Sequence, residues 1–121
     1  MHELSIAVSL LELLEEEVER RGPVQVVAVH LKLGDFSGVV KEALVSSFEM
    51  AAESTQFHGA ALVIEEVPVV IDCPRCEAPR PVHSVQMLCC AECGTPSAKI
   101  VQGKELEVTA LEIEECAQNP A

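Results

Sequence analysis

The segment Cys73-Pro74-Arg75-Cys76 and its later counterpart Cys90-Ala91-Glu92-Cys93 decide how the middle of this chain folds. Within each segment two residues separate the cysteines, so a single tight turn can present both sulfurs to one ion. Thirteen residues lie between the two segments, enough for a hairpin that brings the turns face to face. Gly94 allows the positive φ that is common after such a turn. The spacing predicts a tetrahedral metal site with four thiolate ligands: Cys73, Cys76, Cys90 and Cys93.

Zinc is the ion that this ligand set favours, because four thiolates in tetrahedral geometry are typical of zinc sites. Four cysteines leave no open position for water, so we expect a structural ion rather than a catalytic one. A rubredoxin-like iron site uses the same ligands and stays an alternative, as do redox-active cysteines. Two disulfides would need an oxidising compartment. The first 21 residues carry six glutamates and no basic region ahead of their apolar residues, unlike a secretory signal.

Two further cysteines lie outside this pattern. Cys89 directly precedes Cys90, but only Cys90 has the two-residue spacing to Cys93, so we interpret Cys89 as a spare thiol or a small buried residue. Cys116 lies in an acidic tail and is interpreted as an incidental thiol. Neither has a neighbouring basic residue that would activate a nucleophilic thiolate. With no nucleotide-binding loop either, we expect no enzymatic activity.

The composition limits the core and the partners of the chain. It has 121 residues, a formal net charge of −12, three phenylalanines and no tryptophan or tyrosine, so we expect an aliphatic core. Zinc ribbons often bind nucleic acid, but a strongly acidic chain repels phosphate, so we expect no such role. No apolar run approaches the roughly 20 residues of a membrane span. We expect a soluble, cytoplasmic protein.

Hydrophobic periodicity predicts two helices in the first half of the chain. The first covers Leu4–Arg21 and ends at Gly22-Pro23. Its apolar stripe is Leu4, Ala7, Val8, Leu11, Leu14 and Val18. A strand follows over Val24–Leu33, and the second helix is predicted from an N-cap at Ser37 to about Ala52.

Alternating patterns predict further strands in the second half. Ser54–Gly59 reads as a loop, Ala60–Ile71 as a strand interrupted by Pro68, and Glu105–Ile113 as a strand after the cysteines. In the first strand, His30 is interpreted as a sheet-surface residue rather than a ligand.

The order of these elements predicts an α+β fold. We expect a small three-stranded mixed sheet with two helices on one face, plus an inserted four-cysteine zinc-ribbon-like module. Residues 1–71 and 99–121 would form the α/β domain, and residues 72–98 would form the zinc-binding module.

The amino terminus offers a second, chemically different metal site. His2 can bind through its imidazole while its own backbone nitrogen and the Met1 amine approach the same ion. Fused chelate rings of nitrogen ligands suit Ni²⁺ or Cu²⁺ in planar geometry. Glu3 could add a ligand or orient His2. The helix that begins at Leu4 would hold these ligands near folded structure.

Five features stand out in order along nearly the whole chain: Met1-His2-Glu3-Leu4-Ser5, Leu31-Lys32-Leu33-Gly34-Asp35-Phe36-Ser37-Gly38-Val39, the run from Glu42-Ala43-Leu44 to Phe48-Glu49, Glu65-Glu66-Val67-Pro68, and the two Cys-x2-Cys pairs. In this combination and spacing they resemble the HypA/HybF hydrogenase maturation proteins.

The resemblance implies a nickel metallochaperone that helps to insert Ni²⁺ into the large subunit of [NiFe]-hydrogenase. It implies nickel ligands at Met1, His2 and Glu3, and structural zinc at the four cysteines. It further implies a HypB-type GTPase as partner, a role in urease maturation for some members, and a monomer or a homodimer. Two alternatives remain: a zinc-ribbon adaptor that binds another protein without carrying nickel, and a rubredoxin-like electron carrier.

Overall fold

A computed structural model describes residues 3–115 of the chain. The helices are α1 (Glu3–Arg21) and α2 (Lys41–Ala52). The strands are β1 (Val24–Gly34), β2 (Ala61–Val67), β3 (Val70–Cys73), β4 (Ala78–Ser84), β5 (Met87–Cys90), β6 (Ile100–Gln102) and β7 (Leu106–Glu115). The predicted α+β class is confirmed: two helices and a three-stranded mixed sheet are combined with a four-cysteine cluster.

The chain divides into two compact units. Within the described residues, the first unit takes in 3–31, Val40–Ile64 and 108–115, and is called the helical unit below. The second takes in Lys32–Val39 and Glu65–Glu107, and is called the cysteine unit. The cysteine unit therefore includes residues 72–98 and extends beyond them on both sides.

In the helical unit, α1 and α2 pack against each other through apolar side chains. The buried residues of the two helices are Ala7, Leu10, Leu11, Leu14, Leu44, Phe48 and Ala52. The predicted stripe of α1 is partly wrong, since Leu4 and Val8 are exposed and Leu10 is buried instead. The buried face is rotated because the position of α2, rather than the sequence of α1 alone, decides which side is covered.

The second helix begins later than predicted. Ser37 does not cap it: its hydroxyl accepts a hydrogen bond from Val39 N at 3.2 Å, within the preceding turn. Val40 is the N-cap residue and has no side-chain capping bond. Its own amide donates to Glu3 Oε2 at 3.2 Å. A carboxylate from the start of α1 therefore fixes the chain where α2 begins.

The three-stranded sheet has the order β2-β1-β7, with the first strand in the middle. Both faces of β1 contribute buried residues, because Val26 and Ala28 are as well covered as Val29 and Leu31. His30 is partly exposed, and its Nε2 lies 2.7 Å from Glu112 Oε1 on β7. The imidazole therefore contacts a carboxylate at the sheet surface.

The single strand predicted from Ala60 to Ile71 is wrong. The chain forms two strands there, β2 and β3, which belong to different sheets. Pro68 lies between them and has no amide hydrogen to donate to a ladder. The second sheet, in the order β5-β4-β3-β6, was not predicted. It places the two cysteine segments at the ends of β3 and β5, the strands on either side of β4.

Two glycines of the cysteine unit meet backbone to backbone. A Cβ on Gly34 would lie 2.0 Å from the carbonyl oxygen of Gly103. That oxygen accepts a hydrogen bond from Phe36 N at 2.8 Å, and Gly34 N donates to Glu105 O at 2.7 Å. Gly103 has φ of 115°, which favours glycine.

In the described part of the chain, no helix is long and apolar enough to cross a membrane.

Candidate metal centre

The two cysteine segments form turns with the same local geometry. After the first pair, Glu77 N donates to Cys73 O at 2.9 Å, and after the second, Gly94 N donates to Cys90 O at 2.8 Å. Both turns end in a left-handed residue, with φ of 54° at Glu77 and 78° at Gly94. Glycine adopts this conformation without cost, whereas glutamate pays for it. The second turn thus has the expected glycine, and the first keeps the same shape without it.

The hairpin between the turns brings all four sulfurs together. Strands β3 and β4 pair antiparallel from Val70↔Pro81 to Cys73↔Ala78, and β4 pairs with β5 so that Val82 lies opposite Cys90. The sulfur atoms of Cys73, Cys76, Cys90 and Cys93 all lie within 4.8 Å of one another. Sequence spacing and strand pairing therefore agree on the same cluster.

The sulfur separations match a tetrahedral ion. Cys73 Sγ and Cys93 Sγ are 3.6 Å apart, while Cys76 Sγ lies 3.7 Å from Cys93 Sγ and 3.9 Å from Cys90 Sγ. Four sulfurs at a Zn–S distance of about 2.3 Å have tetrahedral edges of about 3.8 Å. A disulfide requires about 2.05 Å between sulfurs, and the four are free thiols. The arrangement fits one ion in the middle and not a pair of covalent bridges.

The first cysteine of each pair is inner and the second is outer. Cys73 and Cys90 are fully buried, with 0% exposure, whereas Cys76 and Cys93 are half-buried. Each inner sulfur accepts a backbone amide from its turn: Cys76 N lies 3.4 Å from Cys73 Sγ, and Cys93 N lies 3.5 Å from Cys90 Sγ. Backbone groups thus satisfy the inner sulfurs.

Side chains partner the outer sulfurs. The hydroxyl of Thr95 lies 3.1 Å from Cys93 Sγ, and hydrogen bonds from the side chain and backbone of Thr95 lower the pKa of Cys93 to about 6. A hydrogen bond from Arg80 lowers the pKa of Cys76. The contact of Cys76 with Cys93, the burial of Cys76 and its contacts with Cys73 and Cys90 raise that pKa, and together they bring it to about 11. The outer thiols thus differ in how readily they give up a proton.

The remaining predicted thiols and histidines lie elsewhere. Cys89 is half-buried, outside the four-sulfur cluster, and its backbone bridges to Pro96. His83 is exposed on β4, and His58 is exposed in the 54–59 loop. Cys116 lies outside the described residues.

The predicted amino-terminal site lies mostly beyond the described residues. Met1 and His2 are outside them, and Glu3 is the first residue of α1. The Glu3 carboxylate is half-buried and bonds to Val40 N. The structure therefore fixes one of the three predicted nickel ligands to the start of α2.

Four converging thiols on a two-turn hairpin, in a chain with a helical α+β unit, define a small metal-binding protein. A family model described as HypA, hydrogenase/urease nickel incorporation, metallochaperone, matches residues 1–113. The chain belongs to the HypA family of nickel metallochaperones for hydrogenase maturation.

Relatives and solved structures agree with this assignment. A hydrogenase maturation factor HypA from Roseiflexus sp. strain RS-1 is 44% identical over 115 residues, or 95% of this chain and 94% of the relative. One from Chloroflexus aurantiacus is 45% identical over 112 residues, 93% of this chain and 98% of the relative.

The solution structure of the Ni metallochaperone HypA from Helicobacter pylori has a TM-score of 0.61 at 28% identity, covering 93% of this chain and 97% of that one. A second solution structure, of a HypA protein, has a TM-score of 0.67 at 28% identity and covers 98% of both chains. The family resemblance predicted from sequence is confirmed.

Arg80 and Thr95 are the residues of the centre that sequence reasoning missed. Thr95 stands two positions after Cys93, where a hydroxyl next to a metal-binding turn could have suggested a sulfur partner. Arg80 stands four positions after Cys76, and only the register of β3 with β4 places it opposite Ile71, on the same face as the Cys73↔Ala78 pair.

Proposed function

We propose that this protein captures Ni²⁺ at its amino terminus and transfers it to the large subunit of [NiFe]-hydrogenase. Family membership over residues 1–113, which include Met1-His2-Glu3, is the observation that carries the proposal. The nickel ligands proposed are the imidazole and backbone nitrogen of His2, with the Met1 amine and Glu3 as further groups. Nickel is the cargo here and not a resident cofactor.

The position of Glu3 supports an amino-terminal site. Its bond to Val40 N ties the first turn of α1 to the start of α2, and Glu3 directly follows His2 in the sequence. Nitrogen chelates suit Ni²⁺. A partner that supplies competing ligands would take the ion by stepwise exchange.

We propose that the four cysteines hold structural zinc. Their separations fit a tetrahedral ion, and a closed thiolate shell leaves no position for a substrate. Zinc would supply cross-linking of the two turns. Iron fits the same geometry, and elemental analysis together with colour separates the two, since an oxidised iron tetrathiolate is red.

Partners and organisation follow from the same proposal. A HypB-type GTPase and the hydrogenase large subunit are the proposed partners, and urease maturation proteins are proposed as further partners. We propose that these interactions take place in the cytoplasm. We propose no enzymatic activity, and either a monomer or a homodimer. Residues 1–71 and 99–121 would carry nickel, and residues 72–98 would carry zinc.

Isothermal titration of untagged, zinc-loaded protein with Ni²⁺ tests the nickel site. We expect tight 1:1 binding that is lost in His2→Ala, with the zinc content unchanged. His58→Ala is the matched control, because it removes an exposed loop histidine and should leave nickel binding as it is. Unchanged nickel binding in His2→Ala would reject the amino-terminal site. No nickel binding in the wild-type protein would favour the zinc-ribbon adaptor.

A further inference from the structure

Arg80 occupies an inward position of the small sheet that carries the cysteines. In the β3–β4 pairing it lies opposite Ile71, two positions along the ladder from the Cys73↔Ala78 pair and on the same face. On β4 itself, Ala78, Arg80 and Val82 are half-buried while the residues between them are exposed. An arginine therefore stands where the alternation calls for a small or apolar residue.

The residue opposite Arg80, Ile71, belongs to a buried cluster. Ile71, Cys73 and Cys90 are fully buried and form the cluster, and Val82 and Ile100 pack against it. Arg80 Nε is buried without a hydrogen-bond partner. The ion pairs of the described residues join other side chains, and none of them involves Arg80. A guanidinium beside an apolar cluster is costly without a counter-charge.

The sulfurs supply that counter-charge. The Cys76 sulfur is the group that most raises the pKa of the Arg80 guanidinium, and the carboxylate of Glu92 raises it more weakly. Four thiolates around one divalent ion leave the centre with two negative charges, so a fixed cation at an outer thiolate removes half of the excess. Thr95 gives the other outer sulfur only neutral partners, its hydroxyl and its backbone. The two outer sulfurs are thus held by unlike groups.

We infer that Arg80 is the charge-compensating residue of the metal centre, holding Cys76 as a metal-bound thiolate and slowing loss of the ion from that side. Partners of metal ligands set ligand basicity and orientation, and a hydrogen bond to a charged group is stronger than a neutral one. In a protein that also carries an exchangeable cargo ion, this contact keeps the resident ion from being exchanged. The inference rests on the metal centre of the proposed function and not on the nickel site.

Three arginine variants of the zinc-loaded full chain test it. Arg80→Met keeps an unbranched apolar stem but removes the charge, whereas Arg80→Lys keeps a charge. Arg75→Met removes an equal charge from an exposed position inside the first turn. We expect zinc transfer to a chromogenic chelator to be about 10- to 100-fold faster in Arg80→Met. Arg80→Lys should fall between Arg80→Met and wild type, and Arg75→Met should stay within about twofold of wild type.

Alkylation by iodoacetamide, mapped by mass spectrometry, locates the effect. In Arg80→Met, modification should start at Cys76, before Cys73, Cys90 and Cys93. Equal acceleration at all four cysteines would mean general loosening and would overturn the inference, as would wild-type zinc transfer in Arg80→Met. An equal effect in Arg75→Met would assign the change to net charge and also overturn it. A wild-type protein that binds no metal at the cysteines would instead reject the proposed centre itself.

Discussion

The helical unit and the cysteine unit differ in the kinds of side chain that are buried inside them. Between α1 and α2, bulky groups such as Leu14, Leu44 and Phe48 are completely buried. Around the candidate metal centre the fully buried cluster is only Ile71, Cys73 and Cys90, and two of those three are cysteines of the four-sulfur group. A segment with so little apolar area cannot offset its conformational entropy by burial alone. Packing therefore holds the helical unit, and on the proposed function metal ligation holds the cysteine unit, so each can be disrupted separately.

Removal of the metal should give the largest effect and should be confined to the cysteine unit. Structural zinc in small domains contributes about 10–16 kcal/mol of apparent binding free energy. After chelation we expect amides of β3, β4 and β5 to lose protection against hydrogen exchange, while amides of α1 and α2 keep theirs. Loss of protection in both units together would show that the two do not differ in the way proposed.

Phe48→Ala should destabilise the helical unit and leave the metal centre unchanged. The side chain is 0% exposed, and truncation of a buried phenylalanine costs about 3–5 kcal/mol. Denaturant unfolding should show this loss while the zinc content stays unchanged. Met50→Ala on the same helix is the control, because Met50 is 67% exposed and its loss should cost less than about 0.5 kcal/mol.

Gly34→Ala tests the close packing of the Gly34 and Gly103 backbones in the cysteine unit. An added Cβ would lie 2.0 Å from Gly103 O, so the two segments must separate, at a cost of about 1–3 kcal/mol. We expect faster hydrogen exchange at the amides of Gly34 and Phe36, which bond to Glu105 and Gly103. Gly38→Ala meets open space, so it should leave those two amides protected although its φ of 80° is strained.

Acid should weaken metal binding in the cysteine unit without a comparable loss of packing stability in the helical unit. The pKa of Cys76 is raised to about 11 in the metal-free centre, so at lower pH the metal must displace its proton. The pKa of Cys93 is lowered to about 6 by Thr95, so its proton competes only below that pH. Apparent affinity should therefore fall at least about tenfold for each pH unit below 11, and more steeply below about pH 6. Calorimetry in buffers of different protonation enthalpy measures the protons released, and a pH-independent affinity would contradict this.

The smallest effect is expected at the His30–Glu112 contact of the helical unit. Although the two atoms are 2.7 Å apart, the side chains are 33% and 59% exposed, and such pairs contribute about 0–1 kcal/mol. Glu112→Gln should shift the unfolding midpoint only slightly, and less in high salt. A larger loss would mean that electrostatics, and not burial alone, supports this unit.

Sequence patterns predicted what depends on neighbours along the chain. The extents of α1 and β1, the 54–59 loop and the convergence of the four cysteines follow from periodicity, turn residues and ligand spacing. The buried face of α1 was partly missed, with Leu10 in place of Leu4, because a helix surface is apolar over a wider arc than its partner covers.

Features that depend on distant residues were not predictable in this way. Glu3 meets the amide of Val40, 37 residues later, so the capping choice at Ser37 could not be settled locally. A β-branched run around Pro68 looks like one strand, because the sheet that each half joins is decided by tertiary pairing. Arg80 reaches the metal centre through strand register, which the spacing of cysteines does not specify.

The four cysteines lie close together in the sequence, and this has a consequence for the order of folding. Cys73 and Cys93 are 20 residues apart, so only a short loop must close, and short loops close quickly. The central strand β1, by contrast, must wait for β7, which follows the cysteine segments in the chain. We expect a refolding chain to take up metal before its three-stranded sheet is complete, which stopped-flow competition with a chelator, compared with pulsed hydrogen exchange, would resolve. Metal available during synthesis would then order the cysteine segments before β1 has paired with β7.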